Sequence, residues 1–215
     1  MTNATARQLL WPVVVAIVAL VIGLCAGLVI NGGGDQSPGA GPEGSPVDIG
    51  FAQDMSAHHQ QALMMCDMVP STAAPDVRGL ADQIRTAQWR EIGQMTGWLQ
   101  MLDAPLQGER PMSWMSGTPG HDHAGALEVM PGTADGDELT ALHSATGTAG
   151  GILFLQLMIR HHQGGIDMAG QASRTAGNPE IRRGAVAMVK SQSDEIAVMT
   201  VMLDQRGGQA LPYPV

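Results

Sequence analysis

Aromatic residues are scarce: two Phe, one Tyr and four Trp in 215 residues. Globular cores ordinarily draw on large aromatic side chains, so this one has to be filled from aliphatic residues and from an unusual fifteen Met. That bias has two readings, a plastic methionine-filled helical core or a supply of soft thioether ligands. Cysteine is almost absent, and the two that occur cannot frame a disulfide. Cys25 lies inside a hydrophobic run and Cys66 inside a helical motif. Long basic runs are missing too, and the formal net charge is -9. This argues against nucleic acid or an anionic lipid surface as the main partner. Several enzyme signatures are missing as well: no HExxH, no phosphate-binding Walker loop, no Gly-x-Ser-x-Gly and no Cys-x-x-Cys. The Glu-x-x-His pattern of di-iron carboxylate bundles is also lacking, which lowers an oxidase or ferroxidase reading. No catalytic residue is assigned.

One long uncharged run is present, LLWPVVVAIVALVIGLCAGLVI from Leu9 to Ile30. It is long enough to cross a bilayer as a helix. Its apolar length exceeds the core of a signal peptide and no small-x-small cleavage site follows, so an uncleaved anchor is preferred to secretion after cleavage. Lipid modification at Cys25 is disfavoured because Leu24 stands where a small residue is expected. Arg7, the sole cation before the run, puts the N-terminus in the cytoplasm and the remainder outside, in a single-pass cell-membrane protein. The division that follows is a cytoplasmic N-terminus at 1–8, a transmembrane anchor at 9–30 and a flexible Gly/Pro/Ser linker at 31–45. A helical domain at 46–206 and a C-terminal tail at 207–215 complete it. Within the domain, Ser45, Pro46 and Asp48 form a helix start, and Pro70 stops that helix. Asp135 is placed to cap a short helix, and Gly177-Asn178-Pro179 separates the last two long ones.

An internal repeat organises the domain. FAQDMSAHHQQALMM at 51–65 aligns with FLQLMIRHHQGGIDM at 154–168 on adding 103, and Phe, Gln, Met, His, His, Gln and the closing Met coincide. At an offset of 104, Pro75, Arg78, Gln88, Glu91, Ile92, Met95 and Leu99 fall on Pro179, Arg182, Gln192, Glu195, Ile196, Met199 and Leu203. Two helix pairs, 46–103 and 148–206, joined by a crossover at 104–147 predict an all-α fold, a four-helix bundle.

On a 3.6-residue wheel Phe51, Met55, His58, His59, Ala62, Met65 and Cys66 share one face, with Gln53, Gln60 and Asp67 opposite. Phe154, Met158, His161, His162, Gly165, Met168 and Ala169 share the corresponding face in the second repeat. Burying four imidazoles without partners is costly, so each requires a hydrogen-bond acceptor or a metal. Glu91 and Glu195 on the partner helices are the candidates to ligate the metal or to orient an imidazole behind it. His121 and His123, with Met112 and Met115, form a possible accessory set on the crossover.

Taken together, DIGFAQDMSAHHQQALMM, MPGTADGDELTALHSATG, FLQLMIRHHQGGIDMA and the Trp98-Leu99 pair resemble the bacterial family called domain of unknown function 305, over about Asp48 to Asp204. The resemblance implies a duplicated ferritin-like four-helix bundle, exported or membrane-attached, with extracytoplasmic copper handling in some relatives. Carried onto this chain, it points to His58, His59, His161 and His162 with Met55, Met65, Met158 and Met168. The family's acidic residue three before each motif Phe is met by Asp48 and replaced by Gly151 in the second half, so the two halves are not strictly equivalent.

The preferred expectation is a membrane-anchored, non-enzymatic binder of Cu(I) or another transition metal, because imidazole and thioether ligands suit a soft ion. A redox enzyme with a dinuclear histidine and carboxylate centre is the first alternative. A metal-free bundle that presents a surface to another envelope protein is the second.

Overall fold

The computed structural model describes residues 44–115 and 129–214. The run at 9–30 and the pair His121 and His123 lie outside the described residues. Among those residues there are five α-helices, one short 3-10 turn and no strand, and no helix long and apolar enough to cross a membrane.

Helix α1 spans Pro46–Asp67. Ser45 caps it: its hydroxyl accepts from the Asp48 amide at 3.1 Å, and the Asp48 carboxylate accepts from the Ser45 amide at 2.8 Å. Helix α2 spans Pro75–Met101 and again begins with proline, whose missing N–H costs nothing in the first turn. The short α3, Gly136–Ser144, has a reciprocal capping box between Asp135 and Glu138. Helix α4, Gly147–Thr175, carries the second histidine pair, and α5, Pro179–Asp204, is capped by the Asn178 side chain on the Glu180 amide at 2.8 Å. Helices α1, α2 and α5 each end one or two residues before the sequence-based limits, where terminal turns fray.

The short connections 68–74 and 176–178 fold α1 with α2 and α4 with α5 into two hairpins, which meet mainly through α1 and α4. The α2–α5 contact is narrow and relies on Gly184: a Cβ there would lie 2.3 Å from the Cη2 of Trp98.

Two apolar clusters make the core. One holds Phe51, Met55, Met95, Met112, Met115, Met168 and Met188; the other holds Met65, Cys66, Ile84, Phe154, Met158 and Met199. Met55 precedes the first histidine pair and Met168 follows the second, yet they share a cluster; Met65 and Met158 share the other. This pairing requires α1 and α4 to run in opposite directions past one another, with the histidines at the crossing.

One reading needs correction. Gln53, placed on the outward face, is buried, and its amide donates to the Pro105 carbonyl at 2.7 Å. Met112 and Met115, the methionines of the possible accessory set on the crossover, are core residues at 0% and 1% exposure. The cause is Asp54: its carboxylate accepts from the Met112 amide at 2.7 Å and from the Trp114 indole at 2.8 Å, drawing the start of the crossover onto α1. Met112 is held there at φ 60°, a left-handed conformation rare for a side chain of this kind.

Candidate functional site

The two histidine pairs meet where α1 crosses α4. The His58 and His161 rings stack with centroids 3.7 Å apart and planes inclined by 30°. His59 and His162 flank them, their ring centroids 6.5 Å and 6.2 Å from those of their sequence neighbours. All four side chains are buried.

Each imidazole uses its Nε2 in the same way, toward an acceptor. His58 Nε2 lies 3.0 Å from the Pro131 carbonyl, and His161 Nε2 lies 3.0 Å from the His58 backbone carbonyl. His59 Nε2 lies 2.6 Å from Glu91 Oε2, and His162 Nε2 lies 2.6 Å from Glu195 Oε2. A carbonyl oxygen only accepts, so in the neutral rings of His58 and His161 the proton sits on Nε2 and Nδ1 carries a bare lone pair. A carboxylate accepts in the same way, so a neutral His59 or His162 takes the same tautomer.

All four Nδ1 atoms are buried and without a hydrogen-bond partner. A buried acceptor left unsatisfied costs about 1–3 kcal/mol. Four of them around one crossing is a costly arrangement for packing alone. Burial, and then the neighbouring imidazole, push His58 down to about 3 from its ordinary 6.5. Burial first and the stacked His58 second likewise hold His161 well below its ordinary value. Two cations 3.7 Å apart in a dry core would repel, so this pair stays neutral.

These donors suit a transition metal that accepts neutral imidazole: bare Nδ1 lone pairs, backed at Nε2 by carbonyl or carboxylate, are the form in which histidine ligates. Glu91 and Glu195 are engaged in holding His59 and His162. Among the described residues no three His, Cys, Asp or Glu side chains are grouped as they would be around one metal ion. Any such ion would therefore need thioether donors or a two-histidine site. Met55, Met65, Met158 and Met168 are all fully buried, Met55 and Met168 in one cluster and Met65 and Met158 in the other.

Asp48 stands apart from the histidines. Its carboxylate closes the Ser45 cap and accepts from the Asn178 amide at 3.0 Å, joining the start of α1 to the turn before α5. At Gly151, which stands where its counterpart would be, an added Cβ would come within ordinary contact of Val77 at 3.6 Å and Ala73 at 3.8 Å. The Cys66 thiol is free and buried, and burial pushes it up to about 12, which removes it as a ready thiolate.

Sequence reasoning did not find the strap of residues 130–134, which supplies the Pro131 carbonyl. Gln61 grips it with both ends of its amide, donating to the Ala134 carbonyl at 2.9 Å and accepting from the Ala134 amide at 2.8 Å. Arg160 reaches the Thr133 carbonyl at 3.4 Å and pairs with both oxygens of Glu138. Gln61, in the His-His-Gln-Gln run, and the Pro131-Gly132 dipeptide were visible, but nothing in their spacing linked them.

The family described as domain of unknown function (DUF305) matches residues 48–203. Among solved structures, a DUF305 protein of Streptomyces coelicolor, named as secreted, is similar at 35% identity and a TM-score of 0.69, covering 79% of this chain and 98% of that one. A DUF305 fragment from Deinococcus radiodurans is similar at 31% identity and 0.63, covering 76% and 99%. CopM in its Cu(I)-bound form is similar at 26% identity and 0.56, covering 75% and 98%, and in its Cu(II)-bound form at 29% and 0.54, covering 74% and 96%. No curated protein matches the chain.

Proposed function

The chain belongs to the DUF305 family, and from that premise we propose that it is an extracytoplasmic binder of Cu(I), non-enzymatic and held to the cell membrane by the segment 9–30. The observation that carries the reading is the set of four buried imidazoles whose Nε2 atoms are all spoken for and whose Nδ1 atoms all lack a partner. His58, His59, His161 and His162 supply the nitrogen donors. Met55, Met65, Met158 and Met168 supply thioethers from the two clusters that flank the crossing. Soft sulfur beside neutral imidazole selects Cu(I) over hard cations. Likeness to CopM, whose structures include Cu(I)-, Cu(II)- and silver-bound forms, supports the same class of ion.

The engagement of Glu91 and Glu195 by His59 and His162 favours this reading over a dinuclear carboxylate centre. There the same carboxylates would have to face metal.

A competition titration of the full chain with Cu(I) under reducing conditions tests the proposal. Wild type is expected to take up copper stoichiometrically, and the variant with all four histidines replaced by Ala to lose that uptake. Equal uptake by the two proteins would sink the reading. A melt run beside it should show the wild-type transition rising with free copper, because the ion binds the folded state.

A further inference from the structure

Residues 130–134 lie across the histidine crossing with their backbone pressed onto α4. At Gly164 a Cβ would lie 1.8 Å from the Pro131 carbonyl oxygen, an impossible approach. The fit is mutual: Gly132 has φ +73°, and a Cβ there would lie 2.3 Å from the Arg160 carbonyl. On the other side Gln61 of α1 holds Ala134 by two hydrogen bonds. The strap is thus pinned between the two histidine helices, and the atom it delivers is the carbonyl 3.0 Å from His58 Nε2.

Of the four histidines, His58 alone takes its Nε2 partner from a non-helical segment. His161, His59 and His162 find theirs on helices α1, α2 and α5. A helix is fixed by its own backbone bonds; a strap is fixed only by what grips it. If Pro131 moves, the Nε2 proton of His58 loses its acceptor, and with it goes the preference that keeps the proton off Nδ1. Protonated there, the ring has no lone pair to offer at that nitrogen.

We propose that Gly164 and Gln61 are positioning residues for His58: by clamping the Pro131 carbonyl onto Nε2 they keep Nδ1 bare and available to a soft metal. This rests on the copper-binding reading and adds two residues that never touch the ion.

The test uses the full chain in three variants. Gly164→Ala forces the strap off α4, and Gln61→Ala releases it from α1. Gly170→Ala is the control, a helical glycine of α4 whose added Cβ would meet only Arg174 Nη1, at 3.5 Å. Long-range proton–nitrogen-15 correlations on the metal-free protein report which ring nitrogen of His58 is protonated, with the signals assigned through His58→Gln. The expected result is a proton on Nε2 in wild type and Gly170→Ala, and a substantial Nδ1-protonated population in Gly164→Ala and Gln61→Ala. Cu(I) affinity should fall about ten- to a hundredfold in the same two variants, the usual cost of losing a group that orients a ligand.

The proposal is overturned if His58 keeps its wild-type tautomer in both strap variants, or if the proton moves and copper affinity does not. Should Gly164→Ala fail to fold, Gln61→Ala decides alone, since it leaves the α1–α4 backbone packing intact. Absence of copper uptake by wild type would instead bring down the functional reading, while the nitrogen spectra would still show whether the strap sets the tautomer.

Discussion

His58 and His161 are bases kept neutral first by burial and then by a neighbouring imidazole, His59 for the one and His58 for the other. In the unfolded chain each titrates near 6.5, whereas folded His58 titrates at about 3. Between those values the unfolded state binds more protons, so ∂ΔG/∂pH is positive: the stabilisation is complete above the unfolded pKa and is lost as pH falls toward the folded one. The slope approaches about 1.4 kcal/mol per pH unit for each such histidine. The melting temperature of the metal-free chain should therefore drop between about pH 7 and about pH 5. The drop should be shallower in His58→Gln, which removes one such group and, with it, the second cause of the downward shift at His161. Parallel melting curves for the two proteins across that range would contradict the assignment. The paired histidines and their carboxylates were legible in the sequence, because helical periodicity brings them to one face and the repeat supplies them twice. The carbonyl partners of His58 and His161 were not. Backbone atoms leave no trace in residue identity, and so neither the tautomer nor the stack could be read.

At the scale of the helices, most starts were written plainly: Ser45 with Asp48, Pro75, Asp135, and Asn178 with Pro179 each mark one. What the sequence concealed is where helices touch. Gly93 and Gly184 look alike in sequence, yet an added methyl meets nothing within 4 Å at the first and Trp98 at the second. Gly93→Ala should stabilise the chain by about 0.5–1 kcal/mol through helix propensity alone. Gly184→Ala should destabilise it by about 1–3 kcal/mol, because overpacking the α2–α5 contact outweighs the same gain. Denaturant midpoints of the two variants check the sign, and a stabilising Gly184→Ala would mean that Trp98 can step aside. The fate of Met112 and Met115 was hidden for a similar reason. A Gly- and Pro-rich stretch reads as solvent-exposed, and the buried Asp54 carboxylate, with the Gln53 amide on Pro105, turns its first part inward.

For the molecule as a whole, the proposed anchor at 9–30 is tested by cell fractionation. The full-length chain should stay with membranes through high-salt washing, since a hydrocarbon-spanning helix is indifferent to screening. Recovery in the soluble fraction with a new N-terminus after Ile30 would replace the anchor by a cleaved leader. The stack of His58 on His161 has a different consequence at this scale. Its two rings are 103 residues apart in the chain, so the covalent connection through the crossover is what keeps their mutual effective concentration high. Cut that connection, and the same stack would have to be rebuilt from two fragments. Dilution, to which the intact chain is blind, would then erase the site.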